Sequence, residues 1–93
     1  MQIKFLESAV RDTRWFREYY NAVFPEGRTN ARESLKNLQG LLKANPFMGQ
    51  SVEGLKGVRK FPVSRTPFVL IYRVAEDCIE VLRLRDTRRD END

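Results

Sequence analysis

Between Val58 and Arg89 the chain reads VRKFPVSRTPFVLIYRVAEDCIEVLRLRDTRR, and this stretch restricts the fold more than any other. It holds the longest apolar run, Pro67 to Tyr72, and three β-type segments parted by Ser-Arg-Thr-Pro and Ala-Glu-Asp. Side chains alternate across a strand, so Phe68, Leu70, Tyr72 and Val74 are expected on one face and Val69, Ile71 and Arg73 on the other. In the last segment strict alternation sets Ile79, Val81, Arg83 and Arg85 against Glu80, Leu82 and Leu84. The expected sheet has one apolar face and one face ending in guanidinium groups.

Upstream, Gln2 to Leu6 alternates briefly and predicts a short first strand. Ser8 is placed to cap a helix, with Asp12 in or near a first turn that favours negative charge. From Ala9 to Phe24 the period is helical: Ala9, Thr13, Phe16, Tyr20 and Val23 share a face. Trp15 and Tyr19 form a second aromatic pair, displaced round the helix. Pro25 and Gly27 interrupt it. A second helix is expected from Glu26 or Thr29 to Ala44, with Ala31, Leu35, Leu38 and Leu42 in line and Leu41 beside them. Arg28, Arg32 and Lys36 form its outer strip. Gly40 costs about 1 kcal/mol against Ala in a helix, which suggests close approach of the first helix there. Asn45-Pro46 ends the pattern.

Residues 47–57, FMGQSVEGLKG, read as a connecting loop without the GK[ST] ending of a phosphate-binding loop. The tail from Arg88 to Asp93 is charged and expected to fray. The order is β-α-α-β-β-β, an α+β fold with a two-helix hairpin packed on one face of a small antiparallel sheet, in one domain spanning 1–93.

Seventeen Lys and Arg against thirteen Asp and Glu give a net charge of +4, which favours an acidic partner such as nucleic acid, an acidic protein or a membrane surface. The single cysteine, Cys78, excludes an internal disulfide and fits a reducing cytoplasm. It is placed in the turn before the last strand, with no histidine in the chain to act as its base. The lack of histidine also removes the commonest metal ligand and general base. No apolar run approaches the ~18 residues of a membrane span, and no signal-peptide pattern is present. A soluble cytoplasmic protein without metal or cofactor is expected.

The short strand, the hairpin ending in Asn-Pro and glycine, and then VRKFPV…PFVLIYRV…CIEVLRLRDTRRD resemble the RelE/ParE superfamily of bacterial toxins, ParE-type members most closely. The resemblance runs from Ile3 to Asp90. It implies the toxin of a type II toxin–antitoxin pair, neutralised by a cognate antitoxin (ParD-like or related) in a hetero-oligomer. RelE-like members cleave messenger RNA on the ribosome; ParE-like members poison DNA gyrase. RelE-like cleavage uses Lys and Arg to stabilise phosphorane charge, and Lys60, Arg73, Arg85 and Arg88 are the residues that would do so here. The second basic position after the loop falls on Pro62, the arginine early in the next strand falls on Val69, and no Tyr or His follows the last strand. ParE-like members commonly have a histidine where Asp86 stands. The favoured reading is therefore a gyrase-directed toxin that breaks no bond, with the ribosomal endonuclease as alternative and a partner that has lost toxicity as a third.

For a partner-binding surface the candidates are Trp15, Tyr19, Arg59, Lys60, Arg65, Arg83, Arg85, Arg88 and Arg89. Trp15 and Tyr19 are read either as core residues or, because Phe16, Tyr20 and Val23 already fill the inward face of the first helix, as a docking surface. The plainer alternative pairs Arg73, Arg83 and Arg85 with Glu80, Asp77 or Asp86 at about 0–1 kcal/mol each. Tyr72 is expected in the core. Asp86, among arginines, is expected to have a low pKa and to make a poor base.

Overall fold

The structure, a computed structural model, describes residues 1–89, so the frayed tail expected for Asp90 to Asp93 lies outside the described residues. Strand β1 (Gln2–Phe5) leads into helix α1 (Glu7–Glu18). A π-helical turn (Tyr19–Val23) and a 3-10 turn (Pro25–Gly27) carry the chain into helix α2 (Arg28–Ala44). Strands β2 (Gln50–Ser51), β3 (Val58–Pro62), β4 (Phe68–Val74) and β5 (Cys78–Asp86) follow, and Cys78 opens β5 instead of lying in the turn before it.

The sheet order is β1-β5-β4-β3-β2. The α+β architecture expected from the sequence holds, with two refinements. The sheet is mixed, because β1 pairs parallel with β5, the helical hairpin supplying the long crossover that a parallel pair needs. The loop at 47–57 also contributes the short edge strand β2, which pairs antiparallel with β3.

Both helices lie on the face that carries Phe68, Leu70, Tyr72, Ile79 and Val81, all fully buried. Ala9 and Phe16 come down from α1, Tyr20 from the π turn, and Ala31, Leu38 and Leu42 from α2. Phe16 meets Phe68 edge-on at 4.8 Å and Tyr20 at 5.1 Å between ring centroids. Val23 does not join them and is 60% exposed. The π turn, closed by Phe24 N–H on the Tyr19 carbonyl, contains one residue more than an α turn and rotates Val23 outward. Leu41 is likewise exposed.

Gly40 has no neighbouring atom within 4 Å of where a Cβ would stand, so close approach of α1 is not its reason. The crowded glycine is Gly49, where a Cβ would lie 2.6 Å from the Tyr72 hydroxyl and 2.9 Å from the Lys60 carbonyl. That hydroxyl accepts from Gly49 N–H at 2.9 Å and donates to the Pro46 carbonyl at 2.8 Å. Core residue Tyr72 thereby ties the α2–β2 connection to the middle of the sheet.

One irregularity decides which way the basic side chains face. Ile71 pairs with Arg83, but Tyr72 pairs with Val81, so Leu82 is an extra residue in β5. A bulge of this kind resets the alternation. Leu84 and Asp86 join Ile79 and Val81 on the buried side. Arg83 and Arg85, expected beside Ile79 and Val81, move to the opposite side with Arg73.

Candidate partner-binding surface

Residues directly opposite in adjacent strands share a face. Lys60, Ile71 and Arg83 form one row across β3, β4 and β5, and Pro62, Val69 and Arg85 form the next. Arg73 lies opposite Glu80, which in turn lies opposite Lys4 of β1. This face, turned away from both helices, thus sets Lys60, Arg73, Arg83 and Arg85 around an apolar centre of Val69 and Ile71. Arg73 meets Glu80 at 2.6 Å; an exposed pair of this sort contributes about 0–1 kcal/mol and leaves the face cationic.

The second feature is the seam between α1 and β5. β1 stops at Phe5, and from there α1 supplies the hydrogen bonds that a neighbouring strand would have made. Leu6 N–H reaches the Val81 carbonyl at 3.0 Å. The Ser8 hydroxyl donates to the Leu82 carbonyl at 2.8 Å. Asp12 accepts from Leu84 N–H at 2.8 Å and from Arg83 Nε at 2.8 Å. Trp15 Nε1 donates to Asp86 at 3.0 Å, and the Tyr19 hydroxyl accepts from Arg88 at 2.6 Å. Residues 8, 12, 15 and 19 make one helical stripe about 16 Å long, set against about 13 Å of strand from 82 to 86 and the turn that follows it. Ser8 is therefore not the cap; Leu6 holds that position without a side-chain hydrogen bond, and Ser8 and Asp12 satisfy the backbone of the bulge instead.

Asp86 is only 4% exposed. Besides Trp15 it accepts from the Arg88 backbone N–H, from Nε and from Nη2, at 2.8–3.0 Å. Burial alone pushes this carboxyl up, but the bonds from Arg88 and Trp15 outweigh it and lower the pKa from 3.8 to about 2. The same pairing raises the Arg88 pKa further. Burial, followed by the neighbouring Tyr19, raises that of Tyr20. Arg88 lies over the Tyr19 ring at 4.2 Å and Arg89 over the Trp15 ring at 4.8 Å, within the range of cation–π attraction. Neither arginine frays, contrary to expectation for this part of the tail.

The candidate residues fall into separate places. Lys60 and Arg85 belong to the open face, and Arg83 stands at its border with the seam, its guanidinium held by Asp12 of α1. Trp15, Tyr19, Arg88 and Arg89 meet at the end of the seam, where the aromatic pair is roofed by the chain's own arginines. Arg59 sits on the helix side opposite Tyr72. It donates to the Phe47 and Gly49 carbonyls and lies 5.3 Å over the Phe47 ring, bracing the loop. Arg65 is exposed in the β3–β4 turn with a φ of 61°. Of the four residues named for RNA cleavage, Lys60, Arg73 and Arg85 share the open face, whereas Asp86 anchors Arg88 on the helix side. The seam roles of Ser8 and Asp12 had no sequence signal beyond the 4-3-4 spacing of 8, 12, 15 and 19, whereas the low pKa of Asp86 was expected from the arginines around it.

A third surface is the cleft between the helices, floored by Phe16, Tyr20 and Leu35 and edged by Arg17, Arg32 and Lys36. Among the described residues no cluster of His, Cys, Asp or Glu suits a metal ion, and no helix is long and apolar enough to cross a membrane.

A helical hairpin on a mixed sheet with a cationic open face defines a small α+β module. The chain belongs to the ParE toxin family: the profile of the ParE toxin of type II toxin–antitoxin system, parDE, matches residues 3–91. Among solved structures it is similar to a chain of the chromosomal ParDE TA system from P. aeruginosa, at 27% identity and a TM-score of 0.72, over 92% of this chain and 95% of that one. The comparison with curated proteins finds no match. The protein is thus a toxin of the type II toxin–antitoxin class.

Proposed function

We propose that the protein binds DNA gyrase and holds its cleaved-DNA state, stalling replication, and that a cognate ParD-like antitoxin neutralises it in the cytoplasm within a hetero-oligomer. The observation that carries this reading is the open face of Lys60, Arg73, Arg83 and Arg85 around Val69 and Ile71 in a ParE family member. Cations round an apolar centre suit an acidic protein surface or a phosphate backbone, and they speed encounter with either. The interhelical cleft, apolar below and basic at its rim, suits an acidic amphipathic segment of the antitoxin.

The ribosome-dependent endonuclease is the second reading, favoured by the grouping of Lys60, Arg73 and Arg85 on one face. Against it stands Arg88, whose charge is matched by Asp86 and directed to the other side. Purified protein added separately to gyrase supercoiling and to translation reactions discriminates the two. Loss of supercoiling with intact message supports the gyrase reading. Cut message with normal supercoiling supports the nuclease, and no effect in either reaction removes both.

A further inference from the structure

We propose that Asp86 is a positioning residue: braced by Trp15, it holds Arg88 and Arg89 on the aromatic shelf of α1 in the orientation with which the toxin engages its target. The inference adds to the gyrase reading a second contact region, on the helix side of the sheet, and rests on that reading for the identity of the target.

Three observations carry the assignment. The bonds of a buried carboxylate go to Trp15 on one side and to the backbone and guanidinium of Arg88 on the other. That segment lies past the end of the last strand and contributes nothing to the core, yet it is fastened at every residue. Thr87 bonds the Pro67 carbonyl through both N–H and hydroxyl, Arg89 N–H bonds the Asp86 carbonyl, and the two guanidiniums stack on Tyr19 and Trp15. The Arg88 side chain nonetheless keeps 46% of its surface in solvent, and Arg89 is exposed.

A buried ion pair is weak support for stability as such, since apolar residues of similar volume serve a core at least as well. What this pair achieves is orientation. Flat guanidiniums held against rings have already lost their rotamer freedom, and each presents its outer face and remaining N–H groups to a carboxylate or phosphate. Trp15 is the brace, because its indole N–H fixes the carboxylate that fixes Arg88.

The test compares wild type with Asp86→Asn, which keeps the shape and removes the charge, and with Trp15→Phe, which keeps a ring and removes the N–H. Trypsin trimming after Arg88 and Arg89 is followed by intact mass at a temperature where circular dichroism shows each protein folded. Growth arrest on induced expression without antitoxin, at matched soluble levels, reports action on the target, and supercoiling inhibition reports gyrase. Asp86→Asn is expected to be trimmed at least tenfold faster and to need at least tenfold more protein for the same inhibition; Trp15→Phe is expected to follow in the same direction by less. Trimming at the wild-type rate overturns the assignment. So does fast trimming with undiminished growth arrest, because a merely structural role lowers stability without changing the potency of the folded protein. If Asp86→Asn does not fold, Trp15→Phe and Tyr19→Phe carry the same readouts. Wild-type growth arrest without loss of supercoiling removes the gyrase reading and leaves the positioning role to be judged on growth arrest. A wild type that arrests nothing overturns both.

Discussion

Asp86→Asn also has a defined consequence for stability against pH. The folded carboxyl has a pKa of about 2 against 3.8 ordinarily. A depression of nearly two units at ~1.4 kcal/mol per unit makes the ionised form worth about 2–3 kcal/mol to the fold. A depressed carboxylate stabilises fully above its unfolded value and loses that contribution as pH falls through the folded one. The window is therefore roughly pH 5 down to pH 2. Chemical denaturation of wild type and Asp86→Asn at pH 7, 5, 3 and 2 measures it. At pH 7 the variant is expected to be less stable by about 2–3 kcal/mol, and the gap is expected to close as the wild type loses its advantage in acid. Stability curves that stay parallel from pH 7 to pH 2 would refute the pairing of Asp86 with Arg88 and Trp15 as a source of stability.

Other substitutions probe other joints of the fold. Asp12→Ala strips the partner from Leu84 N–H at the bulge and from Arg83; thermal or urea unfolding is expected to show a loss of about 2–3 kcal/mol. Gly40→Ala, in an exposed helical position with open space around it, is expected to raise stability by about 0.5–1 kcal/mol in the same assay. Gly49→Ala is expected to cost more than Tyr72→Phe. The first drives a methyl into the Tyr72 hydroxyl and the Lys60 carbonyl, whereas the second leaves Gly49 N–H and the Pro46 carbonyl without their partner at about 1–3 kcal/mol.

Much of this architecture was legible because strands and helices with one buried face advertise their period. Phe68, Leu70 and Tyr72 read inward, and Ala31, Leu38 and Leu42 read as a stripe, and so they lie. The bulge was marked only by the adjacent apolar pair Val81-Leu82, where the alternation of IEVLRLR slips by one residue. Strict alternation carried across that pair sets Arg83 and Arg85 beside Ile79 and Val81, and pairing with Ile71 and Tyr72 identifies Leu82 as the unmatched residue. The directions of Arg83, Arg85 and Asp86 all follow from that one residue. Gly40 was misread because a helical glycine carries no mark that separates close packing from plain tolerance. Trp15 and Tyr19 stood out as a surplus aromatic pair, but their contacts come from 71 and 69 residues away, a distance over which no local spacing informs. The parallel placement of β1 is equally non-local.

The most direct measurement is gyrase supercoiling titrated with wild type and with Lys60→Glu/Arg85→Glu, whose circular dichroism is checked to be unchanged. The expected result is strong inhibition by the wild type and at least a tenfold higher half-inhibitory concentration for the charge-reversed protein, with the difference shrinking as salt screens the face. Supercoiling untouched by the wild type, or inhibited equally by both proteins, would contradict a gyrase-directed role for the cationic face.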